Sequence, residues 1–192
     1  MTNLYFIRHC KPDFSELNDR HRPLTLEGLN DRSYIVDFLK DKNIDIIFSS
    51  HYKRCVDTIT PFADIVRLSI NEKENLRERN IGKWVENFNE YALMQWNNFE
   101  YKIKNGESLS EVQTRNIAEI KSILYENSDK NIAISTHGTA FSTILNFYDK
   151  GFGYSEFEKI KSIMPFVGIL RFERDKFLDY KIVDPKDKTL IL

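Results

Sequence analysis

Leu4-Tyr5-Phe6-Ile7-Arg8-His9 and Ile132-Ala133-Ile134-Ser135-Thr136-His137-Gly138 are two apolar runs that each end on a histidine. β-Branched or aromatic residues fill both, each has the length of a buried strand, and each stops at a break before a new segment. In an open α/β sheet, the carboxyl ends of such strands border the crevice where ligands bind. Two imidazoles, one preceded by an arginine, are therefore expected to meet in one pocket although most of the chain separates them.

Working outward, the first strand (3–8) leads into a polar loop, 9–23, carrying Pro12, Asp13, Ser15, Asn18, Asp19 and a basic cluster Arg20, His21, Arg22. Thr25 suits the N-cap of a helix over 26–42, with Leu29, Ile35, Val36, Phe38 and Leu39 as its apolar face. Ile44–Phe48 reads as a second strand closed by Ser49-Ser50. A helix follows over 52–66, which Pro61 must kink or restart. Leu68–Ile70 predicts a third short strand, leading to the polar segment 75–83. Residues 85–104 read as one helix, broken at Gly106-Glu107-Ser108. Ser108 or Ser110 then caps a helix over 109–126. Helices over 139–149 and 155–162 and a hairpin-like strand pair, 166–172 and 177–183, complete the chain. Strands alternating with helices predict an α/β fold: a three-layer αβα sandwich with a mostly parallel central sheet, helices on both faces and mixed C-terminal strands. No repeat, linker or low-complexity tract marks a boundary, so 1–192 is expected to be a single domain.

A net charge of −1 over 192 residues recommends neither nucleic acid nor an anionic membrane surface as a partner. The start at Met1-Thr2-Asn3 runs straight into a strand, without the pattern of a signal peptide, and no apolar stretch is long enough to span a bilayer. Two cysteines, Cys10 and Cys55, are too few for a disulfide scaffold and suit a reducing compartment, so a cytoplasmic protein is expected. A monomer or a homodimer is compatible with the composition.

Histidine beside arginine points to phosphoryl chemistry. A neutral imidazole, abundant near pH 7, is a competent nucleophile. Arginine suits phosphate oxygens because its planar fork makes parallel charge-assisted bonds and keeps its charge. Arg8 adjoins His9, Ser49-Ser50-His51-Tyr52-Lys53-Arg54 places a second arginine at the start of a helix, and Gly138 after His137 lets backbone come close to a ligand.

Taken in order, Arg8-His9-Cys10, Pro23-Leu24-Thr25-Leu26-Glu27-Gly28, Ser49-Ser50 with Arg54 and Thr58, Leu76-Arg77-Glu78 through Gly82-Lys83-Trp84, Gly106-Glu107-Ser108 and Thr136-His137-Gly138 resemble the histidine phosphatase superfamily, which includes the cofactor-dependent phosphoglycerate mutases. The resemblance implies that His9 accepts the phosphoryl group, that water hydrolyses the resulting phosphohistidine, that Arg8, Arg54 and His137 hold the phosphate, and that Glu78 protonates the leaving oxygen. It implies no metal and no cofactor. Gly138, Lys11 and Ser15 complete the expected substrate contacts, and the expected partner is a small phosphorylated metabolite. Asp13, His51, Lys83 and the 85–104 helix are further places where specificity is to be read.

Two departures stand out. Cys10 occupies a position that is usually glycine, and His51 and Cys55 stand where proline and alanine are usual. Cys10 adds a side chain beside an arginine-rich pocket, where a thiol is either activated or simply inert and small. Glu78 between Arg77 and Arg79 reads as an acid with a surface ion pair as the competing role, and His21 and His51 read as surface residues. Three functions stay open: a phosphomonoester phosphatase, favoured by the length and by Lys11-Pro12-Asp13 after the first motif; a phosphoglycerate mutase; and a phospho-ligand binding module without chemistry.

Overall fold

Alternation along the strands decides which helix packs where. In the computed structural model, which describes residues 1–192, β1 (Thr2–Arg8), β2 (Ile46–Ser50), β3 (Ile70–Lys73) and β4 (Asn131–Thr136) run parallel in the order β3-β2-β4-β1. β5 (Val167–Glu173) pairs antiparallel with β1, and β6 (Lys176–Val183) antiparallel with β5, to complete six strands. Leu4 and Phe6 of β1, with Ile132 and Ile134 of β4, enter one apolar cluster, whereas Tyr5, Ile7 and Ala133 enter another. This is the period of two of a sheet buried on both faces.

The first cluster is covered by α3 (Phe88–Asn97), α4 (Leu109–Glu126), α5 (Gly138–Tyr148) and α6 (Tyr154–Ile160); the second by α1 (Leu26–Leu39) and α2 (Lys53–Val66). Phe6, Phe141, Phe166 and Phe172 are fully buried in the first. Each such side chain is worth roughly 1.5–3 kcal/mol relative to exposure. The three expected layers and the mixed C-terminal strands are present. No helix is long and apolar enough to cross a membrane.

Thr25 caps α1, accepting from the Gly28 amide at 3.0 Å. Ser108 caps α4 in a reciprocal capping box with Glu111. Pro61 does not restart α2, which runs unbroken through it. The carbonyl that loses its partner to a helical proline is four residues back, and here Arg32 Nη1 donates to that Asp57 oxygen at 3.3 Å.

Several boundaries differ from the sequence reading, and three of the differences have a clear local cause. β2 runs two residues further, through Ser49 and Ser50, whose buried hydroxyls find partners without leaving the strand. β3 begins at Ile70 because Arg67 adopts a left-handed conformation that terminates α2, with Leu68 donating back to Ala63. The segment 85–104 contains only the ten-residue α3. Asn87 caps its start, accepting from the Glu90 amide at 3.2 Å. Asn98 ends it, turning its side-chain oxygen to the Glu100 amide at 3.1 Å.

Candidate active site

Register brings the two histidines together. Arg8 of β1 pairs with Thr136 of β4, so the residue after each strand falls at the same level, and the His9 amide donates to the Thr136 carbonyl at 3.1 Å. The rings of His9 and His137 meet edge to face with centroids 5.2 Å apart. β2 lies on the other side of β4, with Ser49 opposite Ser135, which sets Ser50 Oγ 2.9 Å from His137 Nε2.

The tautomer of His9 follows from its neighbours. Nδ1 lies 2.8 Å from the Cys10 carbonyl, and a carbonyl can only accept, so Nδ1 carries the proton. Nε2 is then left with its lone pair, to which Arg54 Nε donates at 3.1 Å. Burial, reinforced by the Arg54 and Arg8 charges, holds the His9 imidazole well below its ordinary pKa. His137 is lowered by burial and by Arg54 in the same way. Both rings are neutral at physiological pH.

The sign of the resulting pH dependence is fixed. Below about pH 6.5 the unfolded chain binds protons that the folded histidines refuse, so stability falls as pH falls. Each group contributes up to about 1.4 kcal/mol per pH unit. His51, also lowered by partial burial, adds to the same trend. The melting temperature is expected to drop by several degrees between pH 7 and 5.5, and His137→Gln to flatten that slope. An unchanged slope in the variant would contradict the assignment.

Arg54 projects from the first turn of α2 with 4% of its side chain exposed. The Tyr52 ring lies 5.0 Å from its guanidinium carbon and packs edge-on to His137 at 5.1 Å. Arg8 sits on the other side. Its Nη1 donates to the carbonyls of Ile160 and Ile163 at 2.8 and 2.9 Å, Nε has no partner, and burial pulls its pKa down to about 10. Gly138 leaves room for that guanidinium: a Cβ at 138 would stand 3.0 Å from Arg8 Cζ, which would have to shift by a few tenths of an ångström.

Glu78 reaches the same end of α5. Its carboxylate accepts from the amides of Thr139 (3.1 Å), Ala140 (3.2 Å) and its own neighbour Arg79 (2.8 Å), a favourable place for negative charge. The expected rival role, an ion pair with Arg77 or Arg79, is not what it does. Arg77 pairs with Glu107 at 2.8 Å, and Arg79 turns inward to Gln95 and the Phe88 and Tyr91 rings. Arg115 of α4 grips Glu107 with Nε and Nη2 and donates to the carbonyls of Asn75, Arg77 and Glu78. Gly106-Glu107-Ser108 thus both caps α4 and, through Glu107 and Arg115, holds the segment that presents Glu78.

His9, Arg54, His137, Glu78, Arg8 and Gly138 are therefore assembled at the carboxyl ends of β1, β2 and β4. Neither Lys11 nor Ser15 makes a hydrogen bond or ion pair with the histidines or arginines of this group. Lys11 pairs with Glu27 at 2.6 Å and lines a separate cavity of about 300 Å³ with Met164, Asp184 and Lys186. Its backbone packs on Gly28, where a Cβ would lie 2.3 Å from the Lys11 oxygen, so this stretch of chain is turned toward α1. Ser15 is exposed and donates its amide to Asp13. Cys10 buries its side chain in the apolar cluster under α1 and α2, and burial pushes its thiol up to about 12, as it does for Cys55. Both are inert thiols rather than activated ones. His51 is not a surface ring: its side chain is 8% exposed, near Glu74 and against Tyr52. No group of three His, Cys, Asp or Glu side chains is placed to hold a metal ion. Tyr52, Arg115 and Asp19 carry no sequence signal of their own as site residues, whereas Ser50 lies in the Ser49-Ser50 block and Glu107, the partner of Arg115, in the Gly106-Glu107-Ser108 block.

A family model described as the histidine phosphatase superfamily, branch 1, matches residues 4–181. No curated protein shows a significant sequence match. Among solved structures, YhfR of Bacillus stearothermophilus is 22% identical, with 93% of this chain and 95% of that one covered at a TM-score of 0.75. A phosphoserine phosphatase of Entamoeba histolytica in complex with 3-phosphoglyceric acid is 18% identical (94% and 96% covered, TM-score 0.75). A mycobacterial glucosyl-3-phosphoglycerate phosphatase with inorganic phosphate is 15% identical (95% of each chain, TM-score 0.73). At these identities the three share the fold.

Proposed function

The chain belongs to the histidine phosphatase superfamily, and from that premise we propose that it is a phosphatase hydrolysing a small aliphatic phosphomonoester through a phosphohistidine on His9. The observation that carries this reading is the His9 ring itself. It is neutral, with its Nδ1 proton given to the Cys10 carbonyl and its Nε2 lone pair facing Arg54. The names of the structural relatives, phosphoserine phosphatase and glucosyl-3-phosphoglycerate phosphatase, support an aliphatic leaving group.

In the proposed cycle, the phosphate takes over Arg54, which releases Nε2 of His9. Nε2 attacks phosphorus in line as the P–O bond to the leaving group breaks. Arg54, Arg8 and His137 offset charge on the equatorial oxygens. Glu78 in its acid form gives its proton to the leaving alkoxide and, as carboxylate, then takes one from the water that cleaves the N–P bond. Atoms and charge balance: ester plus water gives alcohol plus phosphate, with His9 and Glu78 restored.

The test varies the leaving group. Glu78→Gln is expected to lower kcat/KM on an alkyl phosphate by about 10²- to 10⁴-fold, and on p-nitrophenyl phosphate, whose leaving group needs little protonation, by about tenfold or less. Equal losses on both would refute the acid role. Free phosphate from 3-phosphoglycerate without an isomerised product separates hydrolysis from mutase chemistry, and no turnover of any phosphomonoester would leave only the binding module.

A further inference from the structure

Arg54 already holds an anion in this structure. Its Nη1 donates to the backbone carbonyl of Asp19 at 2.5 Å, and the Asp19 carboxylate places Oδ1 3.2 Å from Nη1 and Oδ2 3.4 Å from Nη2. The same Oδ1 accepts from Arg22 Nη1 at 2.6 Å. Two guanidiniums, 4% and 14% exposed, thus converge on a carboxylate that is itself 43% exposed. The site lies next to the nucleophile, because Arg54 Nε is the donor on His9 Nε2.

The rest of the 9–23 loop shows that this placement is not a by-product of the loop's own folding. Asp13, Glu16 and Asn18 each spend a side-chain oxygen on a backbone amide two residues on. Asp19 caps nothing; its only side-chain partners are the two arginines. The loop is tied to α2 by backbone instead, through the Asp19 carbonyl on Arg54 and the Arg20 carbonyl, which accepts from the Lys53 amide at 3.0 Å. Rotating the Asp19 side chain into water therefore leaves the loop attached and frees Arg54 Nη2 and Arg22 Nη1.

We propose that Asp19 is a built-in competitor of phosphate: its carboxylate occupies the guanidinium faces that the phosphoryl oxygens take, and substrate binding displaces it. This inference rests on the reading of His9 and Arg54 as the phosphoryl site. Two anions in one small cradle repel each other, so Asp19 weakens the hold on every phosphate, including the product. Its return to Arg54 and Arg22 helps expel inorganic phosphate after hydrolysis.

The experiment is calorimetric binding of inorganic phosphate, with its inhibition constant as a second readout, for the wild type, Asp19→Asn and Asp19→Ala. Both variants are expected to bind phosphate about 3- to 10-fold more tightly, the size of a partly exposed charge interaction. Unchanged or weaker binding would overturn the proposal, as would a collapse of turnover restricted to poor leaving groups, which would make Asp19 a proton donor. Phosphate binding is read without turnover, so the two ideas fail separately. A wild type that binds phosphate but hydrolyses nothing defeats the phosphatase reading alone. An active wild type whose variants bind phosphate no better defeats only the role of Asp19.

Discussion

His9→Ala is expected to abolish turnover, with a loss on the order of 10⁴-fold or more. The argument is geometric. Of the two imidazoles only His9 has a nitrogen whose lone pair is fixed toward the guanidinium of Arg54, because the Cys10 carbonyl claims its other nitrogen. His137 is buried behind it, with Nε2 on Ser50 and Cys55 3.4 Å away, and is not placed to replace it. A brief incubation with labelled substrate, quenched in alkali, is expected to trap an acid-labile phosphoryl group on the wild type and none on the variant. Phosphate binding is expected to persist in the variant, since Arg54 remains. Turnover within tenfold of the wild type would remove His9 from the mechanism.

Arg54→Ala is expected to cost about 10²- to 10³-fold in kcat/KM, the scale of losing preorganised donors at a developing charge. It removes the donor on His9 Nε2 and the fork that faces Asp19. The fold is expected to survive, because the partner left behind, Asp19, is partly exposed and can hydrate. Arg54→Lys restores a charge but not a planar fork, and is expected to recover about tenfold at most. Full recovery by lysine would show that charge alone matters at this position.

The parts of this site that were legible in the sequence are those governed by strand ends and local spacing. β1 and β4 announce themselves by apolar runs that stop at His9 and His137, and the caps Thr25 and Ser108 by their place before helical segments. What was not legible depends on contacts between distant residues. Arg32 lets Pro61 sit inside α2 by taking the Asp57 carbonyl, 25 residues away. Arg115 fixes the Glu78 segment from another helix. Lys11 and Ser15 follow β1 closely in sequence, yet the Lys11 backbone packs on Gly28 and its side chain pairs with Glu27 rather than with the residues around the histidines. Asp19 was one polar loop residue among several until its side chain was seen on Arg54 and Arg22. The halving of the 85–104 helix is a local signal misread: Asn87 and Asn98 are cap residues whose side chains outcompete continuation of the helix.

The strand order β3-β2-β4-β1-β5-β6 has a consequence for biosynthesis. β1 hydrogen-bonds only with β4 and β5, both of which follow it in the chain, so until β4 is made it has two edges of unpaired N–H and C=O groups, apolar faces and no partner. Such delayed pairing slows folding and invites wrong contacts between nascent chains. His9 is therefore made long before the residues that complete its surroundings, and a fragment ending before β4 carries His9 without His137.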